Sequence, residues 1–81
     1  MKNNLIHIRG LITPALWDET GKPLRISLST FNEEVYLIDD DKKGKELMTL
    51  IREEVEIKGE IIRKDHIKRI RVKEFIKNSD V

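Results

Sequence analysis

The chain has 81 residues, a length that suits one small domain, residues 1–81, near the lower limit for independent folding. It contains no cysteine, which excludes disulfide bridges and thiolate metal sites. Charged residues make up 38% of the chain, yet the net charge is only +1, so the distribution of charge carries more information than its sum.

Alternation of apolar and polar residues predicts strands along most of the chain. The first, within "LIHIRGLIT", places Ile6 and Ile8 on one face and His7 and Arg9 on the other. The second, "PLRISLST", alternates Leu24, Ile26 and Leu28 with Arg25, Ser27 and Ser29. The third is "EVYLI", and "EVEIKGEII" and "KRIRVKEF" follow as the fourth and fifth. This period of two is typical of strands with one face on a core and one in solvent.

One stretch between the third and fourth strands has a helical period instead. Leu47, Leu50 and Ile51 fall on one side of a helix and are expected to be buried against the end of the sheet. Asp40 or Asp41 is placed to cap its N-terminus. Gly44 is a poor helix former, so we predict a short helix of two to three turns.

Turn residues separate these elements. The group from Asp18 to Gly21 predicts a tight turn between strands 1 and 2, with Gly21 free to take a positive φ. Asn32-Glu33 and Lys64-Asp65-His66 predict the turns after strands 2 and 4. The expected order is therefore β-β-β-α-β-β. The chain is predicted to be mainly β, with one short helix between strands 3 and 4.

Two glycines interrupt the alternation inside strands. Gly10 in "HIRGLI" and Gly59 in "EIKGEII" are expected at bends or bulges, because a small barrel bends these strands most sharply. With this element order, the chain resembles the OB-fold, a five-stranded barrel, over about residues 5–77. The stretches "RGLITPALWDETGKPLRISLST", "GKELMTLIREEVEIKGEI" and "IRVKEF" are similar to small stand-alone bacterial OB-fold proteins of unsettled function.

The resemblance implies binding, since many OB-folds hold oligonucleotides on the outer face of strands 2 and 3 and on the loops after strands 1 and 4. It does not by itself identify the ligand. The basic run of residues 63–73, with six Lys or Arg against one Asp, is able to meet phosphates or to form an ordinary solvated strand face.

We therefore predict a site for single-stranded DNA or RNA with weak sequence selectivity. Trp17 and Tyr36 are the candidates for base stacking, and Arg9 and Arg25 for phosphate contacts. Hydrogen bonds are assigned to the hydroxyls of two strand-2 serines, and further charge to the loop after strand 4. These remaining candidates are Ser27, Ser29, Arg63, Lys64 and His66.

Each aromatic residue has a second interpretation. Trp17 borders the first loop, where it is either a stacking platform or a lid packed over the core. Tyr36 lies in "VYLI", where the alternation does not distinguish the core from the outer face. Phe31 and Phe75 are expected to be packed, Phe75 at the bottom of the barrel.

Several motifs for other chemistry are incomplete. Counted from Asp39 as an EF-hand loop, the segment has Lys43 and Leu50 where the fifth and twelfth positions need acidic ligands. Neither Gly-Lys pair belongs to a phosphate-binding loop. His7 and His66 lack neighbouring ligands for zinc, and no serine is paired with a base. We therefore predict no metal, no cofactor and no enzymatic activity.

The alternative function is protein interaction through an exposed strand edge or an apolar outer pair, Val35 and Leu37. It accommodates the scarcity of aromatic residues and the low net charge. The N-terminal segment has no signal-peptide pattern, and no run approaches the roughly 18 apolar residues of a membrane span. A cytoplasmic location without a membrane partner is therefore expected.

Overall fold

The computed structural model describes residues 5–78, which form a closed five-stranded barrel. The strands follow one another around the barrel in the order β1-β2-β3-β5-β4, and β4 pairs with β1. All neighbours are antiparallel except β3 and β5, which are parallel. This arrangement confirms the predicted mainly β, OB-type barrel. The strands are β1 Leu5–Trp17, β2 Pro23–Thr30, β3 Val35–Ile38, β4 Glu54–Lys64 and β5 Ile67–Lys77.

A helix, α1, spans Lys42–Leu47 and continues into a 3-10 turn, Met48–Leu50, so the predicted helix between strands 3 and 4 is present. Of the two candidate caps, Asp41 is the one used, and its side chain accepts from Gly44 N at 3.0 Å. Leu47 is fully buried, as predicted. Leu50 and Ile51 are only partly buried. The helical stripe stops early, because the 3-10 turn ends at Leu50 and Ile51 already has a non-helical backbone.

The core follows from the alternation. Every strand contributes inward aliphatic side chains, and α1 adds Leu47 at one end. Polar neighbours such as His7 and Arg9 lie outside, as expected. The buried apolar residues are Ile12, Ile26, Leu28, Ile38, Leu47, Val55, Ile57, Ile70 and Val72.

The two strand glycines are required by close backbone approach. Gly10 and Gly59 are buried, and a Cβ on either would lie 2.4 Å from a carbonyl oxygen, that of Ser29 or of Arg71. Gly59 also lies at a slip in the β4–β5 register, which confirms the predicted bulge. Gly10 lies in β1 as predicted, where the strand pairs with β4 and β2 together.

β1 is longer than the alternation predicts, because it continues through Pro14 to Trp17. Proline lacks an N–H for the ladder, and the β1–β2 register slips directly after it and again before Trp17. The bulges of this strand therefore lie beside its C-terminal end, near the first loop.

The three predicted turns are present. Gly21 has φ +87°, as the first turn requires. Glu33, in the second turn, has φ +67°, and its N–H donates to Thr30 O at 3.1 Å. Asp65 and His66 form the third turn, and both have a positive φ, the backbone twist that suits a two-residue hairpin.

Candidate nucleic-acid interface

Two rows of outward-facing residues cross the barrel from β1 toward β5. Thr13 pairs with Ser27, Ser27 with Leu37, and Leu37 with Arg69. Beside this row, Leu11 pairs with Ser29, and Ser29 with Val35. Since directly paired residues share a face of the sheet, these side chains form one surface. We call this surface the open face. It comprises Leu11, Thr13, Arg25, Ser27, Ser29, Val35, Leu37, Arg69 and Arg71.

Three hydroxyls lie at the centre of the open face. Thr13 Oγ1 lies 3.2 Å from Ser29 Oγ and 3.5 Å from the carbonyl oxygen of Ser27. Ser27 is only 6% exposed because its neighbours on β1 and β3 cover it. Ser29 is partly exposed, so of the two predicted serines it offers a ligand the more accessible hydroxyl. Sequence reasoning missed Thr13, whose role depends on its pairing across β1 and β2.

Arginines and one buried carboxylate lie at the β5 side of the open face. Asp39, 7% exposed, accepts from Arg69 Nε at 2.9 Å and from Arg71 Nε at 3.4 Å. Arg25 Nη2 donates to Ile38 O at 3.0 Å. Arg25 Nε is buried and has no hydrogen-bond partner among residues 5–78. These side chains line a cavity of about 510 Å³ together with Leu37, Asp40 and Asp41.

Arg69 and Arg71 were not among the predicted site residues. The sequence does indicate that both side chains point outward, because they belong to the basic run of residues 63–73 and alternate with buried Ile70 and Val72. Their convergence with Arg25 depends on the parallel pairing of β3 with β5, which the local pattern does not reveal.

Trp17 lies at the end of β1, opposite Pro23, with 53% of its surface exposed. The interpretation of Trp17 as a buried lid is therefore wrong, because the core ends below it at Ile12 and Ile26. Its exposure meets the first requirement of a stacking platform. The neighbouring Leu16 and Leu24 are also exposed, so the tip of the β1–β2 hairpin is apolar.

The loop that follows Trp17 is held by one carboxylate. Asp18 Oδ1 accepts from Lys22 N at 2.8 Å, from the Thr20 hydroxyl at 2.8 Å and from Thr20 N at 2.9 Å. These bonds, that from Lys22 above all, hold the pKa of Asp18 below its ordinary value. The carboxylate thus orders the turn beside the indole.

The other aromatic residues depart in part from expectation. Phe31 is 66% exposed, so its predicted packing is wrong; it lies in the β2–β3 turn, beyond the last core residue of β2. Phe75 is partly buried against the core, close to its predicted position. Tyr36 pairs with Leu28 and packs partly against the core, with Lys68 Nζ 5.1 Å from its ring centre. It is therefore not on the open face.

Arg9 lies on a different surface from Arg25. It pairs with Glu56 of β4, and its guanidinium contacts Glu54 and Glu56 at 3.3 and 3.2 Å. His7 Nε2 lies 3.2 Å from Glu56 Oε1. We call these four residues, His7, Arg9, Glu54 and Glu56, the paired face, because their polar side chains contact one another. Arg9 and Trp17, both predicted site residues, do not come together, because β1 pairs with β4 at Arg9 and with β2 at Trp17.

The β4–β5 hairpin forms the far end of the open face. Arg63 and His66 are exposed there, and the Lys64 side chain lies outside the described structure. Lys68 is hydrogen-bonded to Glu34, and this contact holds the pKa of Glu34 below its ordinary value. The hairpin is thereby attached to Glu34, directly before β3 and at the end of the β2–β3 turn.

Within residues 5–78, no three His, Asp or Glu side chains are grouped so that they could share a metal ion. None of the helical segments described there has the length and apolar character to cross a membrane. Comparisons with protein-family models, with curated proteins and with solved structures find no match to this chain.

Proposed function

We propose that the protein binds single-stranded DNA or RNA across the open face, with weak sequence selectivity. The observation that carries the proposal is the composition of this face, where the hydroxyls of β1 and β2 adjoin three arginines. Arg25 lies between these hydroxyls and the exposed indole at the tip of the β1–β2 hairpin. Proteins that bind single strands combine a basic groove for the backbone with aromatic side chains for the bases. OB-type barrels commonly use this same outer surface of β2 and β3.

Each group has a role that its environment supports. Trp17 stacks on one base, since half of the indole is free of the core. Arg25 contacts a phosphate, and Ser29 hydrogen-bonds to a base or sugar. At the β4–β5 hairpin, exposed Arg63 attracts the backbone where it leaves the face, and Lys64 and His66 follow it in the sequence. A single stacking residue and few hydrogen-bonding groups give little discrimination among bases, which is why we propose weak selectivity.

The proposed activity is binding without catalysis. Among the described residues, His7 contacts Glu56 and neither histidine is bonded to a hydroxyl, so no nucleophile–base pair supports a reaction. The resemblance to small stand-alone bacterial OB-fold proteins is in keeping with such a role. We expect the protein to act in the cytoplasm, where single-stranded DNA and RNA are present.

The direct test is fluorescence anisotropy with labelled single-stranded DNA, single-stranded RNA and duplex DNA of one length. We expect micromolar or tighter binding of at least one single strand at low salt, and weaker binding of the duplex. The logarithm of the affinity is expected to fall with the logarithm of salt at about −0.7 per phosphate contact. Absence of binding to both single strands at low salt would contradict the proposal.

A protein partner is the second candidate, favoured by three exposed apolar side chains. Leu11 and Val35 lie on either side of Ser29, and Phe31 follows at the end of β2. Of the apolar pair identified in the sequence, Val35 is exposed and Leu37 is half-buried on the open face. Each described strand has a neighbour on both sides, so the apolar surface is the form of this hypothesis that we retain. A Leu11→Ser, Val35→Ser variant that keeps full oligonucleotide affinity but loses a co-purifying protein would favour this candidate.

A further inference from the structure

Asp39 binds two arginines of β5 and lines the cavity together with them. Asp39 accepts from the Nε of Arg69 and from the Nε of Arg71, one carboxylate oxygen for each. Since Nε is only one of the three nitrogens of a guanidinium, the terminal nitrogens remain available for another acceptor. Within 4.0 Å, their terminal nitrogens form one ion pair among the described residues, that of Arg71 Nη1 with Glu60 at 3.9 Å.

The two arginines start from neighbouring outward positions of β5. Arg69 and Arg71 lie on either side of buried Ile70, and the carboxylate that joins them comes from the end of β3. The 2.9 Å bond orients the planar fork of Arg69, and the longer 3.4 Å contact keeps that of Arg71 beside the same carboxylate. Such a fork matches the oxygens of a phosphate and forms charge-assisted bonds to it.

A third donor lies at the same cavity. Arg25 lines the cavity, and one of its terminal nitrogens donates to Ile38 O. Its Nε is buried and has no partner among residues 5–78. A buried donor without an acceptor is uncommon in folded proteins. This buried Nε is closed to a ligand, so Arg25 offers an anion a terminal nitrogen from the edge of the cavity.

The aspartates that line the cavity limit how much negative charge a ligand can carry there. Three arginines are balanced by three aspartates, so the attraction is local rather than a broad positive field. Asp39 is neutralised by its two partners, Asp41 caps α1, and Asp40 is exposed at the rim. A singly charged phosphodiester suits this balance better than a polyphosphate does.

We propose that Arg69 and Arg71, positioned by Asp39, form a subsite for one phosphate group, with Arg25 at its edge. The inference rests on the proposed function and deepens it, because the phosphate is taken to be a backbone phosphodiester of the bound strand. Asp39 is a positioning residue, since it acts on the phosphate through the two guanidinium groups. A free phosphate ion has the same chemistry and is separated from the strand by the experiment.

The test compares two substitutions that change the net charge equally. Asp39→Asn and Asp40→Asn each remove one negative charge from the cavity, and the probe is a labelled oligothymidylate of about ten nucleotides, within the range that one OB-fold spans. If charge alone decides, both variants bind more tightly. If Asp39 positions the arginines, Asp39→Asn binds at least about tenfold more weakly, because the charge-assisted hydrogen bonds to the phosphate are weakened. Asp40→Asn then binds as tightly as the parent or more tightly.

The salt dependence supplies a measurement that a general loss of stability does not change. In Asp39→Asn the slope is expected to become shallower by about 0.7 for each phosphate that the arginines no longer neutralise. Equal tightening in both variants with an unchanged slope would overturn the subsite while leaving the proposed function intact.

A second pair of variants covers the case in which Asp39→Asn fails to fold, as thermal unfolding would reveal. Arg69→Lys and Arg71→Lys keep the charge but replace the planar fork with a single ammonium. We expect both to fold and to bind the oligothymidylate several-fold more weakly. Parent-like affinity in both would overturn the subsite.

Inorganic phosphate separates the two sources of the ligand. If millimolar phosphate displaces the oligothymidylate from the parent protein, the restriction of the ligand to a strand phosphodiester is overturned.

If the parent binds no oligonucleotide, the proposed function fails, and the subsite is tested by NMR titration of the arginine Nε–Hε signals with phosphate. Shifts of the Arg69 and Arg71 signals that are absent in Asp39→Asn would support the subsite, and their absence in the parent would overturn it.

Discussion

The paired face and the open face carry similar charged residues but use them differently. On the paired face, Arg9 is neutralised by Glu54 and Glu56 of the adjacent strand at 3.3 and 3.2 Å, and His7 contacts Glu56 at 3.2 Å. On the open face, one buried carboxylate serves two arginines, and Arg25 retains a nitrogen without a partner among residues 5–78. The comparison teaches that a basic residue indicates a ligand site only when some of its donors are not already bonded to acceptors of the protein.

The largest effect is expected from the core that supports both faces. Leu47→Ala should lower the free energy of unfolding by about 2–5 kcal/mol, because its side chain is fully buried. Leu50→Ala, the matched control one turn on, should cost less, because Leu50 is only partly buried. Urea unfolding checks both values. An equal or larger loss for Leu50→Ala would mean that the helix is anchored by its 3-10 turn.

The next effect concerns the end of the open face. Trp17→Ala should weaken oligonucleotide binding by about 1–3 kcal/mol, the usual contribution of one stacked base. It should change the free energy of unfolding by only about 0.5 kcal/mol, as exposed substitutions commonly do. Anisotropy and thermal unfolding of one preparation give both numbers.

Ile76→Ala, another exposed apolar position, is the control for Trp17→Ala and should change neither quantity. A large loss of stability in Trp17→Ala with unchanged affinity would return the indole to a packing role and favour the protein-interaction hypothesis.

The two faces are compared directly by Arg9→Gln and Arg25→Gln. Arg25→Gln should make the salt dependence of oligonucleotide binding shallower by about 0.7, the value of one contact with a single strand. Arg9→Gln should leave this slope unchanged and alter stability by about 0–1 kcal/mol, because its ion pairs are exposed. A slope that changes equally in both variants would mean that the strand also crosses the paired face, and the distinction between the faces would disappear.

The smallest effect concerns the loop beside Trp17. The pKa of Asp18 is depressed in the folded protein, so its carboxylate stabilises the turn above the unfolded value of about 3.9. This contribution is lost as the pH falls through the lower folded pKa. Trp17 emission should therefore change on acidification below about pH 3.9. In Asp18→Asn the step should be absent; if it persists, another group, such as Glu34, causes it.

The sequence predicted the barrel better than the interface, for physical reasons that particular residues illustrate. The alternation around Ile26 and Leu28 and a helix cap at Asp40 or Asp41 are local properties, and both were predicted, although the choice of Asp41 was not. The contact of Asp39 with Arg69 joins residues that only the β3–β5 pairing brings together. The exposure of Phe31 depends on where the core ends below the β2–β3 turn, which no short-range pattern specifies.

The parallel contact between β3 and β5 has a consequence for motion. It consists of the pairs Leu37–Arg69 and Ile38–Ile70, extended by the bond from Asp39 N to Ile70 O at 3.0 Å. A seam this short is the place where the barrel should open first in local fluctuations, and its amides should exchange with solvent faster than those of the long β4–β5 ladder. The Asp39–arginine contacts span this seam, so a phosphate held there would slow its opening. Binding would then be detected as slower amide exchange at the β3–β5 contact.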